Sequence, residues 1–340
     1  MRYNSGECSA RSFGAQDVWS NVETTGNIRP AKRRAPVNRG RERLSEQGHI
    51  ETRPDLVSLT RRKIADGLSS LDILTKRLPI HGQLEPGKML RTRLAARLIA
   101  GSPQGVPLEL AARLCAATEL AHTASLCHDD VIDNGLVRRS LPSLWRVSSP
   151  SGAVLLGDLL LCAAVDLLLV EGPDRYLSRF VSKMREVCLA EAEQELIFRG
   201  KSVSEETCIR IARSKTGALF AFAAMIAGGE DGRSTEALEE AGYRVGTAYQ
   251  LADDLLDECG SESKAGKTLG TDRAKRKCTL AQLAGHDGGQ VAERVRELCR
   301  SAVECLVGWP GLAGGMRVFF SEDLESALER MLGRKVWSTQ

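Results

Sequence analysis

The residues best able to do chemistry in this 340-residue chain lie in two carboxylate runs, Asp129-Asp130-Val131-Ile132-Asp133 and Asp253-Asp254-Leu255-Leu256-Asp257. Both place acids at i, i+1 and i+4. On a helix, i and i+4 stack on one face, so these acids repel instead of supporting the helix. Each run closes an apolar stretch that reads as helix, Leu110–Cys127 before the first and Ala237–Ala252 before the second. A glycine follows each, Gly135 and Gly260, as where helices end. The macrodipole there disfavours negative charge by roughly 0.3–1 kcal/mol per group. A segment that breaks local rules is where function is to be sought. A hard divalent cation relieves the conflict, because Mg²⁺ binds through one or two carboxylates plus phosphate oxygens. Two facing runs could therefore hold a diphosphate between them. One run alone reads equally well as a solvated helix end, and its recurrence is what argues for a site.

The elements that must position these acids are helical. From about residue 54 the chain reads as helix after helix, broken at Pro86-Gly87, 101–105, Gly135, Gly172-Pro173, Gly228-Gly229 and Gly260. No alternating β pattern of useful length is present. Aromatic residues make up only 4% while Leu and Ala abound, which favours helix over sheet. The expected architecture is all-α, a single bundle-like domain over 51–340 whose helices bury one another. The longest apolar stretch, Ala153–Val170, contains Asp158 and Asp166. Each costs roughly 2.5–3.5 kcal/mol at a bilayer centre, so it is read as a buried bundle helix, and no transmembrane segment is expected.

Residues 1–50 differ. They are rich in Arg, Ser, Gly and Asn and carry the basic run Arg29-Pro30-Ala31-Lys32-Arg33-Arg34, which reads as a disordered solvated tail. Glu7, Asp17 and Glu23 count against a transit peptide. A net charge of +3 argues against nucleic-acid binding. The ten cysteines include no Cys-x-x-Cys pair, and Cys115, Cys127 and Cys162 sit in apolar runs where thiols pack as small hydrophobes. This usage fits a reducing cytoplasm.

The cations indicate an anionic ligand. Gly87-Lys88-Met89-Leu90-Arg91 follows Pro86 at a helix start, where free N–H groups and two cations welcome an anion. Alone, it reads as a solvated helix start. His122 and His128 are six apart, too far for helical metal ligands at i, i+4. Gly266-Lys267-Thr268-Leu269-Gly270-Thr271-Asp272 is a weak phosphate signal by itself, lacking the strand and spacing of a P-loop.

His122-Thr123-Ala124-Ser125-Leu126-Cys127-His128 leading into the first acidic run, Arg138-Arg139 after it and Tyr249-Gln250 before the second resemble the trans-isoprenyl diphosphate synthase family over roughly residues 80–280. The resemblance implies an isoprenoid synthase fold, a helical bundle around a deep central cavity. It implies that Asp129, Asp130, Asp133, Asp253 and Asp257 hold two or three Mg²⁺ ions on an allylic diphosphate, with Asp254 beside them in the catalytic set. Arg138, Lys215, Thr216, Gln250, Lys267 and Lys277 would bind that diphosphate. Lys88, Arg91, His122 and Arg139 would grip isopentenyl diphosphate, with Glu85-Pro86 and Thr92 standing where the family usually has flanking Gly and Pro. The implied reaction is head-to-tail elongation to an all-trans polyprenyl diphosphate by a homodimer. In this family bulky residues four or five positions before the first acidic run stop chain growth. Here Ser125 and Ala124, with Ala121 and Ala117 deeper, leave room for products of geranylgeranyl size or longer. The family's Gly-Glu-x-x-Gln element aligns with Ala192-Glu193-Gln194-Glu195-Leu196, so Leu196 would replace an amide and alter the tuning of the site. Two relatives in chemistry are the alternatives. A class I terpene cyclase pairs the first run with an Asn/Ser/Glu triad, and a non-catalytic partner subunit tends to lose one run.

Overall fold

The computed structural model describes residues 55–332 except 79, 103–105, 170–173, 260–267, 271, 273–276 and 284–287. The N-terminal tail, Gly260 and Lys267 lie outside the described residues.

Helix α1 (Leu56–Leu68) starts where Asp55 Oδ1 accepts the Ser58 N–H at 2.7 Å, satisfying one amide of the first turn. Two short helices, α2 (Asp72–Arg77) and α3 (His81–Leu84), lead to α4 (Leu90–Gly101). The long α5 (Leu108–Ile132) buries Ala111, Ala112, Ala116, Ala117, Ala121 and Ala124, small side chains that let its neighbours approach. A hairpin of β1 (Val137–Arg138) and β2 (Leu141–Pro142) follows, then α6 (Leu144–Ser148) and α7 (Pro150–Leu169). Helix α8 (Asp174–Ala192) passes into a π-helical stretch, Glu193–Phe198. Helix α9 (Glu205–Ala212), capped by Ser204 Oγ on the Thr207 N–H, runs through a second π-helical stretch, Arg213–Gly217, into α10 (Ala218–Met225). Helices α11 (Gly232–Cys259), α12 (Gly288–Glu304) and α13 (Pro310–Val318), a third π-helical stretch (Phe319–Leu324) and α14 (Glu325–Leu332) complete the order.

Every residue of α10 is buried. Its Phe220 and Ala224 join a core built with α4, α9 and α11 to α14. Its Phe222 and Met225 join a second core with α1, α5, α7 and α8, where Phe180 meets Phe222 edge to face at 5.4 Å. The helical expectation therefore holds, with α10 as the axis. Helix α11 reaches α10 through glycine. A Cβ on Gly242 would lie 2.6 Å from Ala221 Cα, and one on Gly246 2.5 Å from Gly217 Cα. Bare backbone at i and i+4 lets the two helices touch, which carries the acidic end of α11 to the π-helical stretch holding Lys215.

Two expectations need correction. The described part of the apolar stretch, Ala153–Leu169, is buried on one face only. Leu156, Leu160, Ala164 and Leu168 of α7 are buried, in the core shared with α1 and α5, while Val154, Leu155 and Leu169 are 40, 62 and 61% exposed. Cys162 is exposed with them, whereas Cys115 and Cys127 are buried as expected. By length and composition α7 could cross a membrane. The hairpin is the second departure. Its strands are too short for alternation to register, and Arg139-Ser140, with φ of +53° and +62°, occupies the turn where Asn-Gly would have announced it.

Gly242→Val should destabilise the protein by about 1–3 kcal/mol, because the added carbons meet α10 backbone that cannot rotate away. Urea unfolding followed by circular dichroism measures this, and an unchanged midpoint would contradict the tight α10–α11 contact.

Candidate active site

Helix α5 delivers the first acidic run as its last turn. The Asp133 N–H donates to the Asp129 carbonyl at 2.7 Å and the Gly135 N–H to the Asp130 carbonyl at 3.0 Å, so the chain closes the helix on itself. The hairpin then returns Arg138 over the run. Its Nη2 and Nε donate to Asp130 Oδ1 at 2.6 and 3.1 Å, and Asp130 is buried. Burial works against the Arg138 charge, but the Asp130 hydrogen bond and the charges of Asp130, Asp129 and Asp253 together outweigh it and raise the Arg138 pKa. Lys277 Nζ lies 2.7 Å from Asp133. The Asp129 carboxyl is pushed up to about 6, first by burial and next by Glu191, with Lys215 and Lys277 opposing.

Helix α11 delivers the second run. Gln250 Nε2 donates to Asp254 Oδ1 at 2.7 Å, and Thr216 Oγ1 donates to Gln250 Oε1. Asp257 Oδ2 accepts the Asp272 N–H at 3.1 Å, and the Asp257 carbonyl accepts the Gly270 N–H at 3.2 Å. Burial, then the Asp272 charge, pushes Asp254 up to about 8. Asp272 is itself pushed up to about 6 by burial and Asp257.

The runs meet. Lys277 links the first run, 2.7 Å from Asp133, to Asp272, 3.9 Å away, whose N–H is bonded to Asp257 of the second run. Thr268, just beyond the second run, ties to the chain just beyond the first: its Oγ1 accepts the Leu136 and Val137 N–H groups at 3.1 and 3.0 Å, and its N–H donates to the Val137 carbonyl at 3.3 Å. Asp253 acts electrostatically on both Arg138 and Lys88. A small cavity of about 20 Å³, room for about one water, opens here, walled by Lys215, Gln250, Asp254 and Asp272.

Sequence reasoning missed Glu191 and Gln194. Lys215 Nζ lies 2.5 Å from Glu191 Oε2 and donates to Gln194 Oε1 at 3.1 Å. Burial alone would lower the Lys215 pKa, but Glu191 and Asp129 outweigh it and raise it. The Gly-Glu-x-x-Gln pattern therefore starts at Ala190, giving Ala190-Glu191-Ala192-Glu193-Gln194, and the amide is present. Ala-Glu occurs twice in succession, which made the register ambiguous in sequence. Leu196 points away, 81% exposed, so it replaces nothing in the site.

The remaining cations gather nearby. The Arg91 guanidinium is buried 4.8 Å over the Phe220 ring, and its Nε has no hydrogen-bond partner among the described residues. His122 is held well below its usual pKa by burial and by Arg91, Arg139 and Arg138, which makes it neutral. Arg139 donates to the Glu85 carbonyl and lies against Gly87, where an added Cβ would come within 2.8 Å of its guanidinium. Burial and Arg330 lower the pKa of Lys88. Thr92 donates its N–H and hydroxyl to Glu119 at 3.2 and 2.9 Å. His128 instead packs on Gly157 of α7 with Nε2 3.3 Å from Asp158. Ala121 and Ala124 are buried, and Ser125 donates to the His122 carbonyl at 2.9 Å.

No three metal-binding side chains among the described residues converge into a finished cage. The acids nevertheless fit a divalent ion that arrives with substrate, because burial and neighbouring carboxylates raise the carboxyl pKa values of Asp129, Asp254 and Asp272, and a cation there would favour their charged forms. Mg²⁺ takes few protein ligands and completes its shell with phosphate and water.

Asp254 also makes metal-free stability pH-dependent. Its unfolded value is 3.8 and its folded value about 8, so the folded state holds the extra proton between them and stability falls as pH rises through that window. Asp254→Asn should raise the metal-free Tm at pH 8 and leave it little changed at pH 4. Equal shifts at both values would refute the assignment.

The polyprenyl synthetase family model matches residues 77–305. The chain is 34% identical over 208 residues to geranylgeranyl diphosphate synthase of Mycobacterium tuberculosis, covering 58% of each chain, so it spans under two thirds of that relative. It is 31% identical over 236 residues to octaprenyl diphosphate synthase of Haemophilus influenzae, covering 66% of this chain and 71% of the relative. The crystal structure of a Caulobacter crescentus polyprenyl synthase, complexed with calcium and isoprenyl diphosphate, superposes with a TM-score of 0.60 at 24% identity, covering 82% of this chain and 95% of that one. With its paired acidic runs carried at the ends of two helices of an all-helical frame, the chain belongs to the polyprenyl synthetase family.

Proposed function

We propose that the chain is a Mg²⁺-dependent trans-prenyltransferase that adds isopentenyl diphosphate to an allylic diphosphate. The observation that carries this reading is the approach of the two acidic runs, Asp133 and Asp257 linked through Lys277 and Asp272, with carboxyl pKa values raised on both sides. The calcium and isoprenyl diphosphate of the Caulobacter enzyme support it.

Asp129, Asp130 and Asp133 on one side and Asp253 and Asp257 on the other would hold two or three Mg²⁺ ions against the allylic diphosphate. Bound there, the ions supply positive charge to the leaving diphosphate as its C–O bond breaks. Arg138, Lys215 and Lys277 add cations already fixed in place, which is the condition for stabilising charge that develops in a transition state. The bond's electron pair leaves with diphosphate, and the isopentenyl double bond attacks the allylic cation. Lys88, Arg91 and Arg139 would hold the isopentenyl diphosphate, and neutral His122 would donate one N–H to it. The unpartnered Arg91 Nε suits an incoming phosphate oxygen. A proton then leaves to the released diphosphate.

We read the product as geranylgeranyl size or longer, since Ala121, Ala124 and Ser125 put only small side chains one to three turns above the acids. The relatives span geranylgeranyl and octaprenyl products. A cytoplasmic homodimer is the expected state, and the exposed Val154, Leu155 and Leu159 of α7 with Val181 and Leu189 of α8 offer the apolar face it needs.

Asp129→Ala and Asp253→Ala should each lower Mg²⁺-dependent incorporation of isopentenyl diphosphate by at least ~10²-fold, in line with losing a preorganised charge. Near-normal rates in either would reject the site, and products formed without isopentenyl diphosphate would indicate a cyclase. Ala124→Phe should shorten the longest product seen by mass spectrometry, and an unchanged product ladder would place the chain-length stop elsewhere.

A further inference from the structure

Two thiols stand at the wall of the cavity and play no part in the reaction above. Cys208 lies on α9, and Cys278 is joined by a peptide bond to Lys277. Both are free and buried, and they share the same core. Both also line the cavity that contains Lys215, Asp254 and Asp272. Each thiol acts on the other's ionisation, as neighbouring side chains do, which sets the two sulfurs side by side on the cavity wall. The Cys278 carbonyl accepts from Gln194 Nε2 at 3.3 Å, and Gln194 Oε1 in turn accepts from Lys215. The pair is thus wired to the diphosphate-binding cations on two sides, through Lys277 in sequence and through Gln194 in space.

We propose that Cys208 and Cys278 form a reversible disulfide that shuts the site under peroxide. The Cys278 sulfur attacks a peroxide oxygen, giving a sulfenic acid and water. The Cys208 thiol then attacks the sulfenic sulfur, forming the S–S bond and releasing a second water. The pair is oxidised by two electrons, and hydrogen peroxide is reduced. The Cys208 hydrogen bond pulls the Cys278 thiol down to about 7, which supplies thiolate at neutral pH. The cavity gives a small oxidant access to sulfurs that the surrounding core hides from larger reagents.

The consequence rests on the proposed role of Asp133. Lys277 occupies that carboxylate at 2.7 Å and must release it before a metal–diphosphate can take it. A cross-link from Cys278 to α9 fixes the backbone beside Lys277 and keeps its ammonium on Asp133.

The reduced protein is treated with stoichiometric hydrogen peroxide at neutral pH and digested without reductant. The expected result is a peptide pair linked through Cys208 and Cys278, and an at least tenfold weaker calorimetric affinity for inorganic pyrophosphate with Mg²⁺, restored by dithiothreitol. Cys208→Ala should give no such pair and keep its pyrophosphate affinity within threefold after the same treatment. Absence of the linked pair, or equal loss of affinity in Cys208→Ala, would overturn the proposal. Reduced protein that binds no pyrophosphate would overturn the site reading instead, while the peptide map decides the cross-link by itself.

Discussion

The ammonium of Lys277 sits among three carboxylates from three separate stretches of chain, 2.7 Å from Asp133, 3.9 Å from Asp272 and 4.0 Å from Glu191. A unit charge pair at 4 Å is worth about 4 kcal/mol at an effective dielectric of 20, so a cation so placed offsets several repulsions together. Lys215 does the same between Glu191 and Asp129, and Arg138 does it for Asp130. The centre tolerates a density of acid that would otherwise expel water-starved carboxylates or protonate them. At Asp254 and Asp272 burial and neighbouring carboxylates outweigh the lysines, and the carboxyl pKa values rise. The imbalance is directional: the site holds more acid than its lysines and arginines neutralise, which is what an incoming cation requires.

The bundle supplies the rigidity for this crowding. Helix α10 is buried throughout and feeds both cores, so it cannot tilt without disturbing either. Glycines on α11 let that helix lie against it, bringing Gln250 and Thr216 into hydrogen bond. The basic cluster is placed by the same frame, with Arg91 stacked on Phe220 of α10 and polarised by Glu119 of α5. Arg139 reaches it only because the backbone adopts a left-handed turn at Arg139-Ser140, a conformation that costs of order 1–3 kcal/mol and clusters at functional sites.

Much of this was legible in the sequence because the acids break helical rules at two places with the same spacing. Helix boundaries at Asp133 and beyond Asp257 followed from the apolar stretches before them. What the sequence withheld was whatever depends on contact across the fold. Glu191 looks like any surface acid until α8 and the Lys215 stretch are set side by side. Gln194 was hidden by a repeated Ala-Glu step, and local pattern has no means of choosing between two registers two residues apart. Leu196 was mistaken for part of the site for the same reason, and its exposure settles the matter. The outer face of α7 is a similar case, since hydropathy reports that a residue is apolar and says nothing of what covers it.

The π-helical stretch Arg213–Gly217 joins α9 to α10 with one residue more per turn than an α-helix takes, and Lys215 and Thr216 lie within it. Each α-helical residue advances the helix by about 100°. Removing a single residue from this stretch would convert it to ordinary α-helix and turn α9 by that angle against the fixed α10. Indel tolerance is consequently near zero here, even where individual side chains could be exchanged, and length conservation of this turn is the trait that should track with an intact lysine.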